Sequence, residues 1–356
     1  MKILHTALIK FEILRGITFQ TTKIEPMKLQ KTSILNQSGW QTAWHRHIPV
    51  LKKGNYHIVK GVSIGGDAPK DFLRLYEYGE VRKSNRHKWT AYIAKVGHKW
   101  YPMESLTEHL LNRIGAELCL TMAFSKLAIV NEQIRFCSRY FLKKNEQLMH
   151  GAQIYSAFLN GDNHFVEAVE QQNLSRILFT FQFAETAIKY SFPNHWKELL
   201  ENFVKLLIFD AIVGNSDRHF YNWGVITDIE GKKPPRFTPI YDTARGLFWN
   251  EKEEKIQQLH RDSQRTDSFL IRYVGKSAPK TGWENKDTLN HFDLVELLYS
   301  QDERYSIVCE NLVSTENLNK IYALLDTEFR PLMSQERIEL IKKCLAIRFQ
   351  RLTLHT

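Results

Sequence analysis

The order in which strand and helix patterns follow one another constrains the fold of this chain more than any single motif does. Short β-prone segments dominate the first third, and one amphipathic helix over residues 104–118 interrupts them. The rest of the chain shows helical periodicity, with a pair of strands over residues 222–227 and 237–241 inside it. This order predicts an α+β fold in which a small β-rich lobe with one helix precedes a larger, mainly helical lobe.

The predicted elements divide the chain into three parts. We predict a basic amino-terminal segment over residues 1–55, an amino-terminal lobe over 56–135 and a carboxy-terminal lobe over 136–356. The β-prone segments are 56–62, 73–78, 89–96, 124–130 and 134–142, and the later helices are 173–190, 195–214, 291–300, 316–325 and 334–352. Two lobes in this order are typical of a kinase-like protein that binds a nucleotide between them.

The composition excludes several classes of protein. With 356 residues, of which 43% are hydrophobic and 25% charged, the chain has the make-up of a globular protein. Its four cysteines form no C-x-x-C pair, which argues against a zinc ribbon or a disulfide scaffold and favours reduced thiols in the cytoplasm. The most apolar stretch, residues 203–214, is too short to cross a membrane, so we expect no membrane partner.

Positive charge is concentrated near the amino terminus. The net charge is +10, and residues 1–60 contain ten Lys or Arg against two Glu. Such a region fits either a surface for nucleic acid or an acidic partner, or a solvated basic segment. Because no RNA-binding motif accompanies the nearby aromatic residues, we favour the solvated segment and do not expect direct nucleic-acid binding.

A five-residue spacing between Asp217 and Asn222, within residues 214–224, is the first sign of chemistry. In phosphotransfer loops of the form D-x-x-x-x-N, the Asp orients the acceptor hydroxyl and the Asn binds Mg²⁺. The spacing alone does not identify the catalytic loop, because Asp210 and Asn215 are also five residues apart. Asp210 lies inside an apolar helical run, where a capped or paired carboxylate is expected, whereas Asp217 follows that helix and precedes a strand.

A further carboxylate, Asp242, ends the second strand of the predicted pair. Phosphotransferases place a second metal-binding carboxylate after such a hairpin, and carboxylate and amide oxygens are ligands that suit Mg²⁺ bridging phosphates. Taken alone, Asp242 would be interpreted as a turn residue that begins a loop. Together with Asp217, His219 and Asn222 it predicts a phosphotransfer site.

The predicted amino-terminal lobe contains a candidate nucleotide-binding lysine. Lys95 lies near the end of an apolar strand, where a phosphate-binding lysine is found in kinases, although a strand lysine often faces solvent instead. Glu108, thirteen residues later, lies in the predicted helix and would hold this lysine as an ion pair. Glu104, one turn earlier, is the competing partner.

Two loops have more than one interpretation. Ser63, Ile64, Gly65 and Gly66 could cover phosphates with backbone amides, or form a hairpin turn, and they match neither G-x-x-x-x-G-K-[ST] nor G-x-G-x-x-G. Residues 275–283, rich in Gly, Ser, Pro and Lys, form either an activation or substrate loop or a flexible surface loop.

These residues together resemble the HipA-like serine/threonine kinases, the toxin kinases of bacterial toxin–antitoxin systems. The resemblance covers about residues 60–250, with a weaker helical continuation to the end. It is carried by the loop at 63–66, Lys95, the helix with Glu108, residues 136–142, residues 215–224 and Tyr241-Asp242. The D-x-H-x-x-N form of the loop is also similar to that of phosphoinositide kinases.

The resemblance implies a two-lobed kinase fold, ATP and Mg²⁺ as cofactors, and transfer to a protein hydroxyl. In the catalytic group it implies Asp217 as the base, with His219, Lys95 and Glu108 beside it. Asn222 and Asp242 would bind the metal, and the ATP site would comprise Ser63, Ile64, Gly65, Gly66 and Lys95, with Ser63 also autophosphorylated.

Partners also follow from the resemblance. Some members of the family phosphorylate aminoacyl-tRNA synthetases and are held by an antitoxin, which implies a protein substrate in the translation machinery and an antitoxin partner. The basic amino-terminal part is shorter than the separate subdomain of better-known members. From the family resemblance as a whole we predict a growth-inhibiting Ser/Thr kinase. The alternatives are a lipid or small-molecule kinase and a nucleotide-binding pseudokinase scaffold, and the intact site residues argue against the scaffold.

Overall fold

The structure, a computed structural model, describes residues 47–62, 70–97, 103–286 and 288–353. Most of the basic amino-terminal segment and all of the predicted ATP loop, Ser63 to Gly66, therefore lie outside the described residues. Within the described ranges, the chain forms a five-stranded sheet, a three-stranded sheet and twelve α-helices.

An antiparallel sheet of five strands makes up most of the first part of the described chain. Its strands lie in the order β1-β2-β3-β5-β4. They are β1 (Tyr56–Ile58), β2 (Lys70–Leu75), β3 (Thr90–Val96), β4 (Ser125–Val130) and β5 (Gln133–Arg139). Alternate residues of β3 point to opposite faces. Tyr92 and Ala94 are buried in an apolar cluster on one face, so Lys95 lies on the other, in register with Phe136 of β5.

One helix, α1 (Glu104–Glu117), packs against this sheet through β4 and β5. Its apolar side chains at helical spacing, Leu106, Leu110, Leu111 and Ile114, are fully buried. The helix predicted over residues 104–118 is therefore confirmed. Its packing fixes the distance between Glu108 and strand β3, which positions that carboxylate opposite Lys95.

A second, three-stranded antiparallel sheet follows the connection over residues 140–145. It consists of β6 (Glu146–His150), β7 (Gly224–Asp228) and β8 (Arg236–Phe237), in that order. The sequence pattern predicted β7 and β8 but not β6. The predicted lobe boundary at 135/136 falls inside β5, so residues 140–145 are the segment that leaves the first sheet.

Eleven further helices make up most of the rest of the described chain. They are α2 (Gly151–Phe158), α3 (Asn163–Gln171), α4 (Ser175–Leu178), α5 (Phe181–Ser191), α6 (Trp196–Val213), α7 (Glu253–His260), α8 (Ser263–Lys276), α9 (His291–Gln301), α10 (Glu303–Leu312), α11 (Thr315–Leu324) and α12 (Gln335–Thr353). In α6, buried side chains occur on all sides over its last three turns, which makes it the centre of the main core. The catalytic-loop candidates begin where α6 ends.

The single helix predicted over residues 173–190 is wrong, because the chain forms two helices, α4 and α5. Thr180 between them has extended backbone angles, φ −69° and ψ 168°, and its side chain accepts a hydrogen bond from the amide of Phe183. This N-cap begins a new helix and ends the preceding one. Among the described residues, no helix combines the length and the apolarity that a membrane crossing requires.

Candidate active site

A cavity of ≈ 750 Å³ lies between the five-stranded sheet and the helical part of the chain. Its walls come from β3, α1, the 139–142 connection, the loop after α6 and the segment after β8. Among its lining residues are Lys95, Glu108, Asp217, His219, Asn222 and Asp242. The fold thus brings together at one cavity every candidate catalytic and metal-binding residue predicted from the sequence that lies within the described residues.

Lys95 joins the two sides of this cavity. Its ammonium nitrogen Nζ is 2.6 Å from Oε1 of Glu108 and 2.8 Å from Oδ1 of Asp242. Glu104, the competing partner, instead has its carboxylate 3.5 Å from the guanidinium of Arg245. The lysine on the sheet is therefore held by the predicted glutamate of α1 and also by the acidic residue that follows β8.

Burial and charge determine the protonation of these three groups. Burial alone would lower the pKa of Lys95, but Asp242 and Glu108 raise it above its usual value, so the ammonium stays charged. Burial alone would raise the pKa of Asp242, but attraction to Lys95 holds it well below its usual range. For Glu108 burial prevails over Lys95 and raises the pKa to about 7. One ammonium shared by two carboxylates leaves Glu108 as the group that protonates near neutral pH.

The raised pKa of Glu108 predicts a loss of stability with rising pH. Between pH 4.5 and about 7 the unfolded chain ionises this group while the folded protein does not, so Glu108 should contribute a fall of about 3 kcal/mol in the free energy of unfolding over that range, seen as the difference between the profiles of the wild type and a variant without this carboxyl. Glu108→Gln removes the titrating group and should remove this fall. Chemical denaturation at several pH values between 4.5 and 8 measures it for both proteins.

The control for this measurement is Glu117→Gln, on the same helix. Glu117 pairs with Arg113 at 3.4 Å, and both side chains are about one-third exposed. This variant should follow the pH profile of the wild type. A wild-type profile that runs parallel to that of Glu108→Gln throughout would contradict the assignment.

The loop after α6 is shaped by its own hydrogen bonds. Gly214 ends the helix in the left-handed region, with φ 70°, which glycine adopts without strain. The carbonyl oxygen of Asp217 then accepts from the amide of His219 at 2.9 Å and from Nδ2 of Asn222 at 3.0 Å. These bonds use the backbone of Asp217, and its carboxylate, 42% exposed, is directed to the cavity that it lines.

A buried arginine that the sequence analysis did not single out connects this loop to the rest of the site. The side chain of Arg218 is 1% exposed and its Nε donates to Oδ2 of Asp210 in α6 at 2.8 Å. Its Nη1 donates to the carbonyl oxygens of Asn222 at 2.8 Å and Tyr241 at 2.6 Å. Arg218 therefore fixes the loop relative to the segment that contains Asp242.

Asp210, which shares the five-residue spacing, is an anchor for this network. Its Oδ1 accepts from Nδ2 of Asn215 at 2.9 Å and its Oδ2 from Arg218. The expected paired helix carboxylate is thus confirmed, and Asp210 lies in the core beneath the loop. Asn215 in turn accepts from the backbone amide of Asp217 at 3.3 Å. The two Asp–Asn pairs are connected by hydrogen bonds, so the pair in the core, Asp210 and Asn215, supports the pair that lines the cavity, Asp217 and Asn222.

Residues 62–301 match the family model described as the HipA-like C-terminal domain. The chain belongs to this family. The matched range includes Lys95, Glu108, Asp217, Asn222 and Asp242, and it ends at the last residue of α9. The resemblance found in the sequence is therefore confirmed for the part of the chain that forms the cavity.

Two solved structures are similar to this chain. The crystal structure of CtkA, described as a proinflammatory kinase of Helicobacter pylori, is similar with a TM-score of 0.64 and 16% sequence identity, over 84% of this chain and 94% of that chain. HipA of Shewanella oneidensis MR-1, solved with HipB and its operator DNA, is similar with a TM-score of 0.49 and 13% identity, over 98% of this chain and 70% of that chain. No curated protein sequence matches. The likeness to CtkA confirms the predicted two-lobed, kinase-like α+β fold.

The residues of the HipA-like site fit a magnesium ion. The side-chain nitrogen of Asn222 is used in the bond to Asp217, which leaves the amide oxygen as its available ligand, and Asp242 is held in the charged form. Within the described residues there is no cluster of three or more His, Cys, Asp or Glu that could hold a metal alone. An ion bound by one carboxylate and one amide oxygen needs phosphate and water oxygens to complete its shell, as is usual for Mg²⁺.

The backbone at Asp242 is unusual for a residue with a side chain. Its φ is 57°, in the left-handed region, which Asp and Asn occupy more readily than most residues but still at a cost. The carbonyl oxygen of the preceding Tyr241 is held by Arg218, which helps to maintain this conformation. Backbone strain of this kind is concentrated at functional sites.

The 275–283 loop is firmly attached to the helical part. The ring of Trp283 stacks on Phe181 at a centroid distance of 5.5 Å, and Gly282 forms an isolated bridge with Thr180. These contacts argue against the interpretation as a flexible surface loop. Lys280 in this loop is close enough to Asp217 to influence its ionisation. The loop thus brings a positive charge close to Asp217, and we call the part of the cavity around Asp217 its acceptor side.

Several charges act on Asp217 itself. Partial burial raises the pKa of this carboxyl above its usual value, and the nearby Asp242 adds to the rise. His219, Arg245 and Lys280 oppose it. A carboxylate with a raised pKa is a better proton acceptor when ionised, which is the property that a general base requires.

Proposed function

We propose that this chain is an ATP- and Mg²⁺-dependent protein serine/threonine kinase. The observation that carries the proposal is the bonding of Lys95 to both Glu108 and Asp242 across a cavity that Asp217 and Asn222 also line. Each of these groups has a role in phosphoryl transfer, in which positioning and electrostatic stabilisation supply most of the catalysis. Membership of the HipA-like family supports the same reaction.

The proposed mechanism assigns one task to each residue. Lys95, held by Glu108, binds the phosphates of ATP, and Asp242 and Asn222 would hold Mg²⁺. When bound, this ion would supply positive charge opposite the phosphate oxygens. Asp217 accepts a hydrogen bond from the acceptor hydroxyl, orients it toward the γ-phosphorus and takes its proton. His219 lies beside Asp217 at the cavity, and its electrostatic attraction favours the charged form of that carboxyl.

Lys95 and Asp242 contact each other, and both have a task in the proposed mechanism. The Lys95 ammonium is 2.8 Å from Oδ1 of Asp242, and the carboxylate has a second oxygen that the metal can use. Lys95 also contacts Glu108 at 2.6 Å, which keeps it tethered to α1 when it binds the phosphates.

The finer parts of the proposal rest on the family resemblance. We propose a growth-inhibiting toxin kinase that acts in the cytoplasm on a protein of the translation machinery and is held by an antitoxin. Ser63, Ile64, Gly65 and Gly66 form the proposed ATP loop, with Ser63 as an autophosphorylation site. Incubation with labelled ATP and a cell lysate tests the substrate class. A labelled lipid or small molecule in place of a protein would favour the lipid or small-molecule kinase.

Mg²⁺ with ATP should raise the melting temperature of the protein. A ligand that binds only the folded state at a hundredfold excess over its dissociation constant stabilises it by about 2.7 kcal/mol. Lys95→Met should lose most of this shift, because it removes the charge that binds the phosphates. Differential scanning fluorimetry at millimolar ATP, with and without Mg²⁺, measures it.

The matched control for this shift is Lys126→Met. Lys126 lies in β4 of the same sheet and pairs with Glu77 at 2.7 Å, and it does not line the cavity. This variant should keep the full shift with ATP. Equal shifts for Lys95→Met and Lys126→Met would remove Lys95 from the nucleotide site, and no shift in the wild type would count against a kinase altogether.

A further inference from the structure

Arg245, three residues after Asp242, lies at the acceptor side of the cavity. Its Nε is 3.8 Å from Oδ2 of Asp217, and its Nη2 is 3.5 Å from Oε1 of Glu104 at the start of α1. The guanidinium plane is over the ring of Trp249, 3.9 Å from its centroid. The Arg245 side chain is thus close to the proposed base Asp217, to Glu104 of α1 and to the ring of Trp249.

The distance to Asp217 puts this guanidinium within reach of the group that is transferred. A hydroxyl held by a general base is about 2.6–3.2 Å from it, and the reacting atoms are about 3–3.5 Å apart in a near-attack geometry. The γ-phosphoryl oxygens therefore come within a few ångströms of the Asp217 carboxylate. A guanidinium 3.8 Å from that carboxylate can contact those oxygens through a small change of its side-chain angles.

The ion pairs of Arg245 with Glu104 and Asp217 are weak enough to be replaced by contacts with phosphoryl oxygens. Both carboxylate distances exceed ordinary hydrogen-bond length, and the side chains of Arg245 and Asp217 are 35% and 42% exposed. Exposed ion pairs of this kind contribute little to the stability of the fold, because solvent screens their attraction. The Trp249 ring, in contrast, supports the guanidinium plane by close cation–π attraction.

We propose that Arg245 is a further catalytic residue that binds the γ-phosphoryl group during its transfer. In this step a bond forms between the acceptor oxygen and the γ-phosphorus, the bond from that phosphorus to the bridging oxygen of ADP breaks, and the hydroxyl proton passes to Asp217. Negative charge spreads over the equatorial oxygens, and a guanidinium placed there stabilises it. The proposal rests on the proposed kinase function.

The test compares Arg245→Gln with Arg236→Gln. Arg236 also pairs with a carboxylate, Glu146 at 2.8 Å, but it does not line the cavity. Melting temperatures are measured with Mg²⁺–ADP and with Mg²⁺–ADP plus aluminium fluoride, which mimics the phosphoryl group in transfer. Turnover is followed as release of ADP from ATP, with kcat and KM separated.

We expect Arg245→Gln to keep the shift with Mg²⁺–ADP and to lose the additional shift that aluminium fluoride gives the wild type. Its kcat should fall by about 10²-fold or more, with KM for ATP little changed, because the charge acts on the transition state. Arg236→Gln should behave as the wild type in both measurements.

Two results would overturn the inference. The first is a full aluminium fluoride shift in Arg245→Gln. The second is a Glu104→Gln variant that loses as much kcat as Arg245→Gln, since Arg245 would then act by holding α1 in place. Failure of the kinase proposal looks different: the wild type itself would show neither a shift with Mg²⁺–ADP nor release of ADP.

Discussion

Replacing Asp217 with asparagine is expected to lower the rate of phosphate transfer by about 10²–10⁴-fold, the usual contribution of a general base. Asparagine keeps the volume of the side chain but neither carries the charge nor accepts the proton. The fold should be retained, because the hydrogen bonds that shape the loop use the backbone of Asp217 and its carboxylate is 42% exposed. Transfer of label from γ-labelled ATP to lysate proteins and thermal melting measure the two effects.

Asp228→Asn is the matched control for this variant. Asp228 ends β7 outside the cavity, and its carboxylate accepts from the backbone amide of Lys232 at 2.8 Å. This variant should transfer label at the wild-type rate. An Asp217→Asn protein that phosphorylates nearly as fast as Asp228→Asn would refute the proposed mechanism, whatever the fold.

The predicted site residues that lie together at the cavity are those whose placement depends on local spacing. Lys95 on a strand and Glu108 thirteen residues later are placed by the alternation of β3 and by the apolar stripe of α1, and both patterns are readable from side-chain types. Asp217 and Asn222 lie in one short loop between α6 and β7. A spacing rule works there because the chain between the two residues has little freedom.

The parts that the sequence did not predict depend on contacts between distant segments. Arg218 joins α6, the loop and the segment before Asp242, and its sequence neighbours do not indicate that it is buried. Strand β6 exists because it pairs with β7, about 78 positions away along the chain, as shown by the register of Glu146 with Asp228 and His150 with Gly224. Arg245 acquires its surroundings from Glu104 of the other lobe.

The division of residues 173–190 into two helices also depends on a contact between distant segments, which the sequence pattern does not show. Apolar periodicity continues through residues 173–190, so the pattern predicts one helix, yet the Thr180 side chain caps a new one. The partner that favours this break is remote, since the amide of Phe181 donates to the carbonyl of Gly282 at 2.9 Å. The break and the attachment of the 275–283 loop are therefore one structural feature, and this loop brings Lys280 toward Asp217.

Asp210→Asn should have the largest effect on stability, a loss of about 3–5 kcal/mol in the free energy of unfolding. The side chains of Asp210 and Arg218 are 2% and 1% exposed, and removing one member of a buried pair leaves the other charge uncompensated. The loss should exceed that of Asp217→Asn by several fold. Urea or guanidinium denaturation, fitted with a common slope, measures it.

A surface pair of the same length provides the control. Lys342 and Asp326 are 2.7 Å apart, with side chains 18% and 46% exposed, so Asp326→Asn should cost at most about 1 kcal/mol. The double variant Asp210→Asn with Arg218→Met should lose less than the sum of the two single variants, because it leaves no isolated buried charge. If Asp210→Asn costs no more than Asp326→Asn, the buried pair does not anchor the loop. In that case the position of Asp217 must depend on the hydrogen bonds within the loop itself.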